Sequence, residues 1–452
     1  MNVHFIAIGG SAMHNLAIAL AKKDYKVTGS DDVIFEPSKS RLAKYNLLPV
    51  LQGWDTKNIT PELDAVILGM HARQDNPELL KAREIGLKIY SYPEYIYEQS
   101  KDKKRVVIGG SHGKTTITSM ILHVLNYYKR DFDYLVGAQL EGFDTMVKVT
   151  TEAPVIVIEG DEYLASPIDR RPKFHLYKAH VAVLSGIAWD HINVFPTFEN
   201  YLEQFKIFLE TIQPGGTLIY SQDDETLNKL VNEFSGNIVK IPYKLLAHRL
   251  DAGVTTLLTE FGDIPLKVFG DHNILNLNAA RLVLNELEIS NTDFYTAIKS
   301  FNGAARRLEL LAKNDETAVY KDFAHSPSKL KATIQAVKRQ FPKRELVAVI
   351  ELHTFSSLNK NFLDEYAGTM DEADDAIVFI DKSIFLQKKL ELYDEKVVKL
   401  SFANIKVKFF NNVEILDAYL SSINYKSKNL LLMSSGNFAD LDLLKLANKA
   451  LE

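Results

Sequence analysis

The chain opens by alternating short apolar runs with stretches of helical period. VHFIAIGG is followed by AMHNLAIALAKK, in which Met13, Leu16, Ala17 and Leu20 share one face, and then by YKVTGSDD, LDAVILGM and LKIYSY. Short apolar runs read as strands and the intervening periodic stretch as a helix, so this order predicts parallel strands joined by crossover helices. The charged stretch EQSKDKKR, residues 98–105, predicts a linker. Beyond it RVVI, APVIVIEG and AHVAVLSGIAWDH predict strands, ENYLEQFKIFLETI a helix, and QPGG a turn before the strand TLIYS. A third series, AVYKDFAHSP, ELVAVIEL, DDAIVFID, VKFF and NLLLMSSGNF, has a helical pattern after each strand. The expected class is α/β in three domains, at residues 1–102, 103–302 and 303–452.

Composition narrows the chemistry. The 452 residues are 46% apolar and 25% charged, as in soluble globular domains, and are too many for one ordinary core. A net charge of −5 without a long basic run gives no footprint for nucleic acid. The absence of cysteine excludes disulfides, thiolate metal sites and thiol nucleophiles. MNVHFIAIGG enters a strand pattern at once, and no apolar stretch approaches ~18 residues, so neither a secretion signal nor a membrane partner is expected. The expected compartment is the cytoplasm, and the expected assembly a monomer or weak homo-oligomer.

GGSHGKTT, residues 109–116, lies between an apolar strand pattern and an apolar helix pattern. A Walker A loop would need glycine at position 108, where the chain has Ile108. What remains, Gly110, Ser111, His112, Gly113, Lys114, Thr115 and Thr116, supplies backbone N–H groups at a helix start, one cation, and a hydroxyl that can reach magnesium. This string resembles the ATP loop of the Mur ligase family, cytoplasmic enzymes that build peptidoglycan precursors by joining a carboxylate to an amine with ATP. The resemblance implies a Rossmann-like UDP-sugar domain, a P-loop-type central ATPase domain and a Rossmann-like C-terminal domain, with ATP and Mg2+ as cofactors.

Further stretches resemble the family in the same order. VIVIEGDEY is similar to the family's E-A-D-E stretch and implies Glu159 as a magnesium ligand beside Thr115. AWDHINVF resembles N-[IL]-E-x-D-H-x-D, which implies His191 at a second metal, although Gly186, Ala188 and Asn193 replace the usual Asn, Glu and Asp. Some members carry a carbamylated lysine in the next helix. Here Phe205 takes that position, and Lys206 is one residue, or ~100° of helix, out of register. FGDHNILNLNAA resembles the adenine segment and implies His272, Asn273 and Asn276; read without the family, Asn273 would cap a helix whose core face is Ile274, Leu277, Ala280, Leu284 and Leu287. FNGAARRLEL and KDFAHSPSKL resemble the junction to the last domain and its nucleotide segment. They imply Arg307 and Asp322 at the nucleotide and His325 at the reacting centre, where Lys114, Glu159 and His191 complete the catalytic set.

At the N-terminus, G-x-G-x-x-G laid on the first turn gives Ala7, Gly9 and Ala12, which is weak support for NAD. The resemblance instead implies a UDP-sugar site formed by Gly9, Gly10, Ser11, Ser30 and Asp31, with His71 from the next strand end. In the last domain ELHTFSSLNK keeps His353 but lacks the arginines that alanine-adding members carry there. Arginine's bidentate grip on a carboxylate has no conservative substitute. This absence, with VIFEPSKSRL, PKFHLY and LMSSGNF, favours the members that recycle a peptide, joining UDP-N-acetylmuramate to L-Ala-γ-D-Glu-meso-diaminopimelate through an acyl phosphate. The alternative is the alanine-adding ligase of peptidoglycan biosynthesis, and a lesser one a non-catalytic protein that binds nucleotide and UDP-sugar.

Overall fold

A computed structural model describes residues 1–189, 192–251, 253–304, 307–388 and 393–452. They fall into two compact units. One comprises Met1–Ile187, Leu202–Lys244 and Ala279–Asn291; the other comprises Ala188–Tyr201, Leu245–Asn278 and Thr292–Glu452.

The first unit contains two sheets. A four-stranded parallel sheet runs in the order Lys26–Ser30, Asn2–Ile6, Ala65–Leu68, Ile89–Ser91. Val3, Phe5, Ile6, Val66, Ile67 and Leu68 are all fully buried, which is why the two inner strands, Asn2–Ile6 and Ala65–Leu68, read as mainly apolar runs. The helix Ser11–Ala21 does not bury one face only: every residue from Met13 to Leu20 is buried, His14 and Asn15 included. Its outer side is covered by the chain around residue 146, where the Met146 N–H donates to Asn15 Oδ1 at 2.9 Å. That long-range contact is invisible to a periodicity argument.

The second sheet is seven-stranded, in the order Val239–Tyr243, Thr217–Ser221, Val181–Leu184, Lys104–Gly109, Val155–Glu159, Asp133–Leu135, Val147–Lys148. Only its last pairing is antiparallel. Lys104–Gly109 is the central strand and feeds the helix Lys114–Tyr127. The linker expected at 98–105 is largely absent: the helix Tyr92–Ser100 runs to within four residues of the strand starting at Lys104. Lys103 is buried against Asp133, with Nζ 2.6 Å from Oδ2. Arg105 is buried too, donating to the carbonyls of Ser100, Lys101, Lys103, Tyr177 and Lys178. Charge suggested solvent here, but pairing and carbonyl contacts make the burial tolerable.

The second unit holds an antiparallel sheet of His248–Asp251, Val254–Thr259 and Gly262–Leu266, which the apolar pattern did not reveal. It also holds a six-stranded sheet in the order Glu309–Lys313, Ala318–Asp322, Lys428–Met433, Glu345–Glu351, Asp375–Phe379, Lys408–Phe410, parallel except for its first strand. Leu346, Ala348 and Ile350 enter one core and Val347 and Val349 the other, as the two-residue period of a strand requires. Among the described residues, the segment after Glu345–Glu351 contains only the 3-10 turn Leu363–Tyr366 before the next strand, where a helix was expected.

Candidate active site

The carboxyl ends of three neighbouring strands build the phosphate loop. Gly110 has φ +116°, and a Cβ there would lie 2.3 Å from Ser185 Oγ and 2.7 Å from its backbone N, so no other residue fits without displacing backbone. Gly113, at φ +80°, precedes the helix Lys114–Tyr127, which no side chain caps. A helix start of this kind offers N–H groups and the positive end of its dipole to an anion. The loop is tied to the neighbouring strand: Ser111 N–H donates to Gly186 O at 3.0 Å, and Ser185 Oγ donates to His112 O. Gly186, where the family pattern has Asn, lies against the loop histidine. At φ +148°, a Cβ would lie 2.8 Å from Cε1 of His112.

Thr115 Oγ1 donates to Glu159 Oε1 at 2.8 Å, and Gly137 N–H donates to Glu159 Oε2 at 2.8 Å. A hydroxyl and a carboxylate side by side are hard oxygen donors that suit Mg2+, which keeps waters and phosphate oxygens as its other ligands. Among the described residues no group of three or more His, Asp or Glu side chains is placed to hold a metal ion. Lys114 Nζ donates to Gly110 O at 2.5 Å and Glu162 Oε2 at 2.7 Å. Burial pulls its pKa down, but Glu162, Asp161 and Glu159 outweigh that and hold it above the usual lysine value. Glu162, 1% exposed, was visible only as one of four polar positions after a strand, and Gly137 gave no signal at all.

The UDP-sugar candidates gather at the carboxyl ends of the first sheet. Gly9 N–H donates to Asp31 Oδ2 at 2.7 Å, and Gly10 and Ser11 open the first helix. Burial raises the Asp31 pKa to about 6, opposed by that N–H. Ser30 is turned inward: its hydroxyl donates to Glu78 Oε1 at 2.7 Å, with His4 Nε2 at 3.3 Å and Asn58 Nδ2 at 3.1 Å. His4 and Glu78 are fully buried, and neither was anticipated. His71 is exposed beyond Ala65–Leu68.

In the second unit, Asn273 does not cap its helix. It is the third residue of Asp271–Glu286, and Nδ2 donates to Phe269 O at 2.8 Å, while Ile274, Leu277, Ala280 and Leu284 are fully buried and Leu287 is half-buried. Asn276 is buried on the same helix. Burial lowers the His272 pKa against the pull of Asp322 and Asp271, so the ring is neutral at pH 7. Asp322 Oδ2 accepts from Leu308 N–H and Oδ1 from Ala324 N–H, both at 2.7 Å. The Arg307 guanidinium lies 4.7 Å from the Phe323 ring centre, and Nδ1 of His325 is 2.8 Å from Phe323 O. His353 follows the strand Glu345–Glu351, with Nδ1 3.8 Å from the Glu351 carboxylate. Asp190, His191 and Arg306 lie outside the described residues. Phe205 is fully buried and Lys206 half-exposed, so the helix presents no lysine where some members carry the modified one.

Three family profiles cover most of the chain: Mur ligase family, catalytic domain, at residues 2–104; Mur ligase middle domain at 108–284; and Mur ligase, glutamate ligase domain, at 306–436. The chain belongs to the Mur ligase family. A UDP-N-acetylmuramate–L-alanine ligase of Sulfurihydrogenibium sp. is 29% identical to it over 97% of this chain and 96% of the relative. Among solved structures, the UDP-N-acetylmuramate–alanine ligase of Thermotoga maritima superposes with a TM-score of 0.70 at 20% identity, covering 100% of this chain and 98% of that one. A murein peptide ligase of Psychrobacter arcticus gives 0.66 at 21% identity, with the same coverage of 100% and 98%. Mur ligases form C–N bonds with ATP and Mg2+, and this chain is a ligase of that kind with the family's three-domain α/β architecture. Members of the family bind UDP-N-acetylmuramate and an amino acid or peptide. Among the described residues no helix is long and apolar enough to cross a membrane.

Proposed function

We propose that the protein joins the carboxylate of UDP-N-acetylmuramate to the amino group of L-alanine, in the cytoplasm, for peptidoglycan synthesis. The observation that carries the acceptor is the end-to-end likeness to relatives named for L-alanine, which outweighs the sequence features that favoured a peptide. The donor carboxylate oxygen attacks the γ-phosphorus of ATP, giving an acyl phosphate and ADP. The acceptor amine attacks the acyl carbon, phosphate leaves with the C–O electron pair, and the nitrogen gives up a proton. Lys114 and the Gly110–Thr116 amides offset charge on the transferring phosphoryl group, where fixed donors lower the barrier most. Thr115 and Glu159 would hold Mg2+, which supplies Lewis-acid charge at the phosphates when bound. Gly9, Gly10, Ser11, Asp31 and His71 would face the UDP-sugar, and His272, Asn273, Asn276, Arg307 and Asp322 the nucleotide, with His325 at the reacting centre.

A second reading, ligation of L-Ala-γ-D-Glu-meso-diaminopimelate, is supported by the absence of arginine from ELHTFSSLNK. Phosphate release with ATP, Mg2+ and UDP-N-acetylmuramate, with each acceptor and with product mass, decides between them. Alanine-dependent turnover is expected. Turnover only with the tripeptide would establish the second reading, and silence with both would overturn the ligase assignment of substrates.

A further inference from the structure

The carboxyl edge of the six-stranded sheet carries a second charged centre. The strand Glu345–Glu351 ends in a carboxylate that is 2% exposed; Oε2 accepts from the Ser434 hydroxyl and from Phe438 N–H at 2.8 Å. His353 is wedged against the next turn: a Cβ at Gly436 would lie 2.8 Å from its Nδ1 and 2.9 Å from Glu351 Oε2. Ser435, beside that glycine, has a hydroxyl that is buried without a hydrogen-bond partner. Lys388, the last residue of the helix Lys382–Lys388, donates to His353 O and stands 4.8 Å from the Phe355 ring centre. An ammonium has three donors, and that carbonyl takes one. No carboxylate among the described residues pairs with Lys388, and burial lowers its pKa with no opposing charge. A half-buried cation that has no counter-ion among the described residues, at the edge of a parallel sheet where ligands bind, is suited to receive an anion.

We propose that Lys388 holds the carboxylate of the acceptor, the amino acid or peptide whose amine is ligated. The assignment rests on the ligase reading above, and it makes Lys388 a specificity-determining residue. It accounts for how a segment without arginine can still belong to an enzyme that takes a free amino acid: the cation comes from a different element, 35 residues beyond His353. Phe355, 46% exposed, forms an apolar wall beside the ammonium.

The experiment compares wild type, Lys388→Met and Lys388→Arg with L-alanine, L-alaninamide and the tripeptide as acceptors. A lost charge-assisted contact predicts that Lys388→Met raises KM for the carboxylate acceptor roughly ten- to a hundredfold. KM for ATP and UDP-N-acetylmuramate and the rate with L-alaninamide should stay at wild-type values, and Lys388→Arg should restore most of the loss. Those unchanged constants show that the variant folds, and a helix-end lysine of purely structural role would not separate acid from amide. An unchanged KM for the acid in Lys388→Met overturns the proposal while leaving the ligase intact. If wild type forms no product with any acceptor, the ligase reading fails first. Reductive methylation of Lys388, read by mass spectrometry, then decides: protection by L-alanine or the tripeptide but not by L-alaninamide supports the carboxylate site, and equal labelling removes it.

Discussion

The phosphate loop of the seven-stranded sheet and the carboxyl edge of the six-stranded sheet are built on the same plan and differ in what makes them. Both lie where parallel strands end, the place where open α/β sheets bind ligands. In the first, the chemistry is mostly backbone, and Gly110–Thr116 form one uninterrupted stretch shaped by left-handed glycines. In the second, Asp322, the Glu351–His353 pair and Ser434 come from the ends of three strands and Lys388 from a helix, and only folding brings Lys388 and Ser434 to Glu351 and His353. A backbone site is written locally, whereas a side-chain site is written across the chain.

Three substitutions sharpen that contrast. Lys114→Met should have the largest effect, lowering phosphate release by about 10²–10³-fold, the scale of losing one preorganised donor to a developing anion. The double variant with Glu162→Gln, which also removes the stranded carboxylate, should recover unfolding stability but not turnover; recovery of turnover would show that Lys114 serves only to neutralise Glu162. At the other edge, Glu351→Ala leaves the Ser434 hydroxyl and Phe438 N–H without their acceptor. It should destabilise the second unit by roughly 2–3 kcal/mol in denaturant titration, and a loss below ~0.5 kcal/mol would mean that the carboxylate does not organise this edge.

The smallest expected effect is in the first sheet, whose edge mixes both kinds of site. Asp31 has a folded pKa of about 6 against an ordinary value near 3.8, mainly through burial. The folded chain therefore binds this proton more tightly than the unfolded one, and stability falls as pH rises from about 4 to about 6, then levels off. Asp31→Asn keeps an oxygen for Gly9 N–H and should flatten the slope of the denaturant midpoint across that window. An identical slope in the variant would assign the dependence to another group.

Legibility followed the same division. The inner parallel strands such as Ala65–Leu68, Val155–Glu159 and Glu345–Glu351 were readable because each is an apolar run buried along nearly its whole length, and the phosphate loop because its residue types are contiguous. The parallel edge strand Val239–Tyr243, half-exposed and holding a lysine and a proline, was missed. The antiparallel strands from His248 to Leu266 were missed because they alternate weakly, with exposed Leu250, Val254 and Leu258. Glu162, Glu78 and Glu351 were missed as partners because a buried carboxylate looks like a solvated one until its donors are located. Asn273 was misread as a cap because the helix begins two residues before it, at Asp271.

The charged stretch ahead of the phosphate strand has a practical consequence for anyone dissecting the protein. It would be the natural place to divide the gene, yet Arg105 draws three of its five carbonyl acceptors from Ser100, Lys101 and Lys103. A fragment beginning at Lys104 would leave that guanidinium with only Tyr177 and Lys178, and one ending at Lys103 would leave the three carbonyls without it. The seam behaves as a rivet, and expression fragments that respect it should keep residues 92–105 with the central sheet.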